Sequence, residues 1–132
     1  AMDFEKQIQS VRQNFPHAQV EAYIFKELSL QEQIEAVSDA SIYVTLCGGG
    51  AVTAMFLPKG ASLIVYYSED GGAQDNHMTH KPALLDWDLL NSMSYLRVHW
   101  KPRNTMKEPM DEKALLLLIR HELELIDSET FV

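Results

Sequence analysis

The chain has 132 residues, 46% of them hydrophobic and 23% charged, which is the size and balance of one globular domain with a core of its own. Eleven Lys and Arg against 19 Asp and Glu leave a formal net charge of −8, a field that repels a nucleic-acid partner. The single cysteine, Cys47, excludes an internal disulfide framework. The longest apolar run, Ala114 to Ile119, falls far short of the ~20 residues of a membrane span, so no membrane contact is expected. No charged-then-apolar leader is read in these residues.

Phe4, Ile8, Val11 and Phe15 recur on one helical face, with Asp3 placed to cap the helix and Pro16 to stop it. Val20 to Phe25 is β-branched and aromatic, with Val20, Ala22 and Ile24 alternating against Glu21, Tyr23 and Phe25, and predicts a strand. Ser29 with Glu32 forms a capping box, opening a helix whose buried face is Leu30, Ile34 and Val37. Ser41 to Leu46 is the next strand. It runs into Cys47-Gly48-Gly49-Gly50 and a short helical stretch from Ala51 to Phe56. Pro58-Lys59-Gly60 is a turn, and Ala61 to Tyr67 a third strand whose Leu63-Ile64-Val65 run suits burial on both faces.

A polar loop follows from Ser68 to Lys81, then a helix opened by Pro82 that carries Leu84, Leu85, Leu89 and Met93. Tyr95 to Trp100 alternates as a fourth strand, and Lys101 to Pro109 is a polar connection. Asp111 is placed to cap a last helix with Leu115, Leu118, Ile119, Leu123 and Ile126 on its apolar face. Helices and strands alternate throughout. That order predicts an α/β fold, a three-layer Rossmann-like domain with a mainly parallel sheet of about four or five strands. One domain is expected over residues 1–132. Because the order opens on a helix, an upstream strand is expected, and the chain reads as part of a larger protein.

In such sheets ligands bind at the carboxyl ends of the strands. The segments there are Phe25 to Ser29, Leu46 to Ala51, Ser68 to Lys81 and Lys101 to Pro109. The strongest local signal is Cys47-Gly48-Gly49-Gly50-Ala51 between a strand and a helix, where glycines permit a sharp turn and close approach to a ligand. A tight connection that binds nothing is the competing reading. The segment fits neither G-x-G-x-x-G nor a Walker loop, which disfavours a dinucleotide domain and a P-loop ATPase. Cys47 at a helix start is a candidate nucleophile, but no His-based activation pattern accompanies it. Asp75, His77 and His80 offer ligand atoms without a second pair at structural metal spacing, so no metal is assigned. His99 reads as an ordinary strand-face histidine.

Around the glycines the segment Leu28 to Tyr67 resembles the C-terminal half of glycosyltransferase family 61. The resembling residues are Leu28 to Ile34, Ala40 to Val44, Gly48 to Pro58 and Gly60 to Ile64. The family pattern there is a helix bearing Glu-Gln, a strand, His-Gly-Ala-Gly-Leu-Thr-Asn, Phe-hydrophobic-Pro and Gly-x-x-hydrophobic-Ile-Glu. This chain departs from it at Cys47 for the histidine, Gly49 for the alanine, Ala51-Val52-Thr53 for Leu-Thr-Asn, and Val65 for the strand glutamate.

The resemblance implies the donor-binding half of a two-domain GT-B enzyme, which inverts the anomeric centre of a nucleotide-diphosphate sugar, usually without a metal or other cofactor. Its implied partners are the nucleotide sugar and a glycan or protein acceptor held by an N-terminal domain, which also supplies the base; the catalytic residue is therefore unassigned. The donor-binding residues it implies here are Cys47, Gly48, Gly49, Gly50, Ala51 and Thr53, with Ser29 and Glu32 at the neighbouring loop. Lys81, Lys101 and Arg103 are the cations available for the diphosphate, and Glu69 or Asp70 could reach a ribose. If the source is eukaryotic, the resemblance implies a parent in the Golgi or endoplasmic reticulum lumen. Two rival readings stand beside it: a degenerate, non-catalytic domain serving protein interaction or structure, and an unrelated flavodoxin-like small-molecule domain.

Overall fold

A computed structural model describes residues 4–46, 49–67, 89–102 and 109–129. Its regular elements are helix α1 (Glu5–Asn14), helix α2 (Leu30–Ser38), strand β1 (Ile42–Leu46), the one-turn helix α3 (Gly49–Val52), strand β2 (Ser62–Tyr67), strand β3 (Arg97–Pro102) and helix α4 (Pro109–Glu129). Tight 3-10 turns at Phe25–Glu27 and Thr53–Phe56 lead into α2 and out of α3. The three strands form one parallel sheet in the order β1-β2-β3. Parallel strands need a crossover between them, and α3 with its 3-10 turn supplies the one from β1 to β2.

The central strand explains the layering. Every residue of β2 is buried, with Leu63, Ile64 and Val65 at 0% exposure, because helices cover both faces of the sheet. Ile64 and Tyr66 face one layer, packing on Leu115 and Ile119 of α4 and on Phe4, Val11 and Phe15 around α1. Leu63 and Val65 face the other, against Val37 of α2, Ala51, Ala54 and Leu57 around α3, and Leu90, Met93 and Leu96 ahead of β3. Each such large aliphatic side chain contributes roughly 1.5–3 kcal/mol of burial, which fixes the register of the central strand. The turn into β2 needs Gly60, whose φ of 85° lies in the left-handed region. Its amide donates to the Tyr95 carbonyl at 2.9 Å and its carbonyl accepts from Arg97, tying the turn to β3.

The predicted α/β class and three-layer parallel arrangement hold, with three strands rather than four or five among the described residues. Val20 to Phe25 is not a strand. Tyr23 and Ile24 are 47% and 58% exposed, the Val20 carbonyl accepts from Arg12, and the Tyr23 hydroxyl donates to Glu21. Alternation marks a chain suited to a half-buried surface, and here only Phe25 is packed, stacked on Tyr43 of β1, while no described strand pairs with the stretch. Four smaller expectations also change. Leu30 is 68% exposed rather than core, Leu89 is exposed while Leu90 takes the buried place, and β3 begins at Arg97 rather than Tyr95 and runs through Lys101 and Pro102. Asp111 is not a cap: it lies inside the first turn of α4 with its side chain turned into the protein. The Asp3 cap, the Ser68 to Lys81 loop and the helix start at Pro82 to Leu85 fall outside the described residues.

Candidate functional site

The parallel register brings Leu46, Tyr67 and Pro102 to one edge, the carboxyl edge of the sheet. Since α2 leads back into β1 and α3 leads out of it, the start of α2 and the glycine segment belong to that same edge. Gly49 and Gly50 are the first two residues of α3. Ala51 is 2% exposed and packs in the core, so it offers a ligand its backbone and not its side chain. Cys47, Gly48, Glu69, Asp70, Lys81 and Arg103 lie outside the described residues, as do Asp75, His77 and His80.

Ser29 and Glu32 close on each other. The Ser29 hydroxyl accepts from the Glu32 amide at 3.1 Å, and the Glu32 carboxylate accepts from the Ser29 amide at 3.0 Å. The amide bond first, and the hydroxyl second, hold the Glu32 carboxyl below the ordinary carboxylate range. Their partners are each other, which fixes the start of α2. Thr53 is likewise engaged inward: it is 6% exposed and its hydroxyl donates to the Gln33 carboxamide oxygen at 3.4 Å. The Gln33 nitrogen donates to the carbonyls of Phe25 at 2.9 Å and Leu28 at 3.3 Å. Gln33 falls at the glutamine of the Glu-Gln helix in the family pattern, but its role has no local signature, since its bond to Thr53 spans 20 positions.

Among the expected cations Lys101 is described, and it is committed. Its ammonium pairs with Asp111 at 3.1 Å and lies 5.6 Å over the Tyr66 ring. Asp111 also accepts from the Tyr66 hydroxyl at 2.9 Å and from Gln7 of α1 at 3.1 Å, so one buried carboxylate gathers α1, β2, β3 and α4. Burial, then the bond to Asp111, then its charge push the Tyr66 phenol well above its ordinary 10.0. A lysine already neutralised in this way gives a diphosphate less than the sequence suggested.

A second buried carboxylate lies toward the amino edge. Glu122 is fully buried, and one of its oxygens accepts from Ser62 at 2.7 Å, Arg97 at 3.1 Å and His99 at 2.8 Å. Its other oxygen has no hydrogen-bond partner, with the His121 ring 3.8 Å away. Burial alone pushes this carboxyl up, but the bonds from Ser62, His99 and Arg97 together hold it below its ordinary 4.5. His99 is thus a structural partner of Glu122, on the strand face where the sequence put it. The signal available was the period-two run Arg97, His99, Lys101 on one face of β3.

Among the described residues no group of three or more His, Cys, Asp or Glu could hold a metal ion, and no helix is long and apolar enough to cross a membrane. Compared with known families, residues 2–64 match the family model described as Glycosyltransferase 61, a stretch of just under half the chain. The match takes in α1, α2, β1, α3 and the first half of β2, and overlaps the resembling segment from Leu28 onward. No curated protein matches the chain significantly.

Proposed function

From residues 2–64, which belong to the glycosyltransferase 61 family, we propose that the chain is the nucleotide-sugar-binding half of an inverting glycosyltransferase. The observation that carries this is the coincidence of the family match with the carboxyl edge of a parallel sheet. The glycine segment that reads as the ligand loop leaves β1 at the edge where such folds bind.

In this reading the acceptor is a glycan or protein hydroxyl, brought by a second domain that also supplies the base. The acceptor oxygen attacks the anomeric carbon as the bond to the diphosphate breaks. The base takes the hydroxyl proton, and the nucleoside diphosphate leaves with the bond's electron pair. This chain's part is to hold that leaving group. Glycine-segment amides from Gly48 to Ala51 approach it without side chains in the way, while Lys81 and Arg103 supply charge. Cys47 belongs to the same segment, and Ser29 and Glu32 act by fixing the start of α2. Glu69 or Asp70 would take the ribose. No cofactor or metal is called for, the donor sugar being substrate. With a net charge of −8, the phosphate is held by local groups against the protein's overall field.

A second reading, a degenerate domain serving protein interaction or structure, is favoured by one observation. Ala51 and Val65, at positions where the family pattern has leucine and glutamate, are both buried in the core, at 2% and 0% exposure. Titration of the chain with uridine or guanosine diphosphate, followed by amide NMR, separates the two. Shifts at Gly48, Gly49 and Gly50 at millimolar nucleotide are expected, an affinity of roughly −4 kcal/mol. No shift there rejects the donor-binding reading.

A further inference from the structure

The Gln33 carboxamide joins two segments of the carboxyl edge that are otherwise separate in sequence. Its nitrogen donates to the carbonyls of Phe25 and Leu28, on the turn before α2, and its oxygen accepts from Thr53, in the turn that follows α3. We infer that Gln33 is a positioning residue that couples the Phe25–Leu28 turn to the glycine-led α3 turn through Thr53, so that a nucleoside diphosphate meets both as one unit. The ligand in this inference rests on the donor-binding reading above; the coupling itself does not.

The chemistry of the amide sets its orientation. Phe25 and Leu28 offer only carbonyl oxygens, so the NH2 group must face them and the oxygen must face the Thr53 hydroxyl. Gln33 itself is held in place by the capping box one residue earlier, which fixes the first turn of α2. Thr53 is held by burial and by its place in the 3-10 turn three residues after Gly50. A rotation of α2 is therefore passed to α3, and the reverse. The hydroxyl of Thr53 is spent on this bond, so its contribution to a bound donor runs through the backbone it anchors. Small displacements of groups that hold a leaving group are costly in rate, which is why a positioning contact matters there.

The test uses the full 132-residue chain with amide hydrogen exchange and uridine diphosphate titration on the wild type, Gln33→Leu, Gln33→Glu, Thr53→Val and Thr53→Ser. Gln33→Leu and Thr53→Val are expected to speed exchange of the 49–52 amides and weaken the nucleotide, each by about five- to tenfold, the effect of losing the Gln33–Thr53 bond that both variants remove. The two changes together should do no more than the stronger alone, and exchange in β2 should stay unchanged. Thr53→Ser keeps the hydroxyl and should behave as wild type. Gln33→Glu keeps the acceptor but loses both donors, and it supplies the answer if Gln33→Leu does not fold. Unchanged exchange at 49–52 in both Gln33→Leu and Thr53→Val overturns the inference whatever the nucleotide does. Faster exchange with undiminished nucleotide binding overturns the positioning role. Faster exchange in a chain whose wild type binds no nucleotide rejects the donor-binding reading and upholds the coupling.

Discussion

Helix α4 carries two buried carboxylates, Asp111 and Glu122, eleven residues apart on the same face, and the protein satisfies them in opposite ways. Asp111 divides its partners between both oxygens: Lys101 on one, Tyr66 and Gln7 on the other. Glu122 takes Ser62, Arg97 and His99 on a single oxygen and leaves the other without a hydrogen bond. The partners differ in exposure too. Lys101 is 15% exposed beside Asp111, whereas Arg97 and His99 are 25% and 32% exposed beside Glu122. A buried charge stripped of its partner is expensive, and one that can reach water is less so. The carboxyl edge is thus held by a closed pair, the amino edge by a half-open one.

The largest expected effect breaks the closed pair. Asp111→Ala leaves a mostly buried ammonium, a buried phenol and a buried carboxamide without their shared acceptor, and should cost about 3–5 kcal/mol in denaturant unfolding. Glu122→Gln keeps the shape and an acceptor oxygen while Arg97 and His99 can turn to solvent, so about 1.5–3 kcal/mol is expected. A larger loss at Glu122 than at Asp111 would reverse the comparison.

The two clusters should also fail at opposite ends of the pH scale. Glu122 is held below its ordinary 4.5, so its contribution is fully present above that value and is lost as pH falls through the lower folded-state pKa. Tyr66 is held above its ordinary 10.0, so its contribution is present below that value and is lost as pH rises past it, where the unfolded chain ionises first. Stability measured against pH should therefore lose part of its acid slope in Glu122→Gln and part of its alkaline slope in Tyr66→Phe. Tyr66→Phe, which removes a hydrogen bond to a charged group, should also cost roughly 1.5–3 kcal/mol at neutral pH. Loss of the acid slope in Tyr66→Phe instead would show that the two ends of α4 titrate as one network.

Neither carboxylate was legible as such in the sequence, and the reason is the same for both. The capping box at Ser29 and Glu32 could be read because both of its bonds lie within one turn of chain. The all-apolar run of β2 could be read because burial on both faces leaves no polar residue to alternate. Asp111 was read as a cap because an acid at a helix start ordinarily satisfies free amides there. Its partners Gln7 and Tyr66, 104 and 45 positions away, are set by how four elements stack. The same limit hid the bond between Gln33 and Thr53. It also made a strand of Val20 to Phe25, where the pattern was sound but no strand among the described residues pairs with it.

The smallest effect tests how Glu122 tolerates crowding three donors on one oxygen. Ser62→Ala removes the shortest of those bonds, at 2.7 Å, from a site with no exposure to water. Arg97 and His99 remain, so the carboxylate keeps partners and the loss should be only about 1 kcal/mol. Because the Ser62 bond is the foremost of those that hold the Glu122 carboxyl down, the acid slope should be shorter in this variant and level off at higher pH. A comparable single deletion at the closed pair, Gln7→Leu, should leave the alkaline slope where it is, since Gln7 touches Asp111 and not the phenol that titrates. If Ser62→Ala leaves the acid slope in place, Arg97 and His99 hold the charge without it, and the amino edge is as closed as the carboxyl edge.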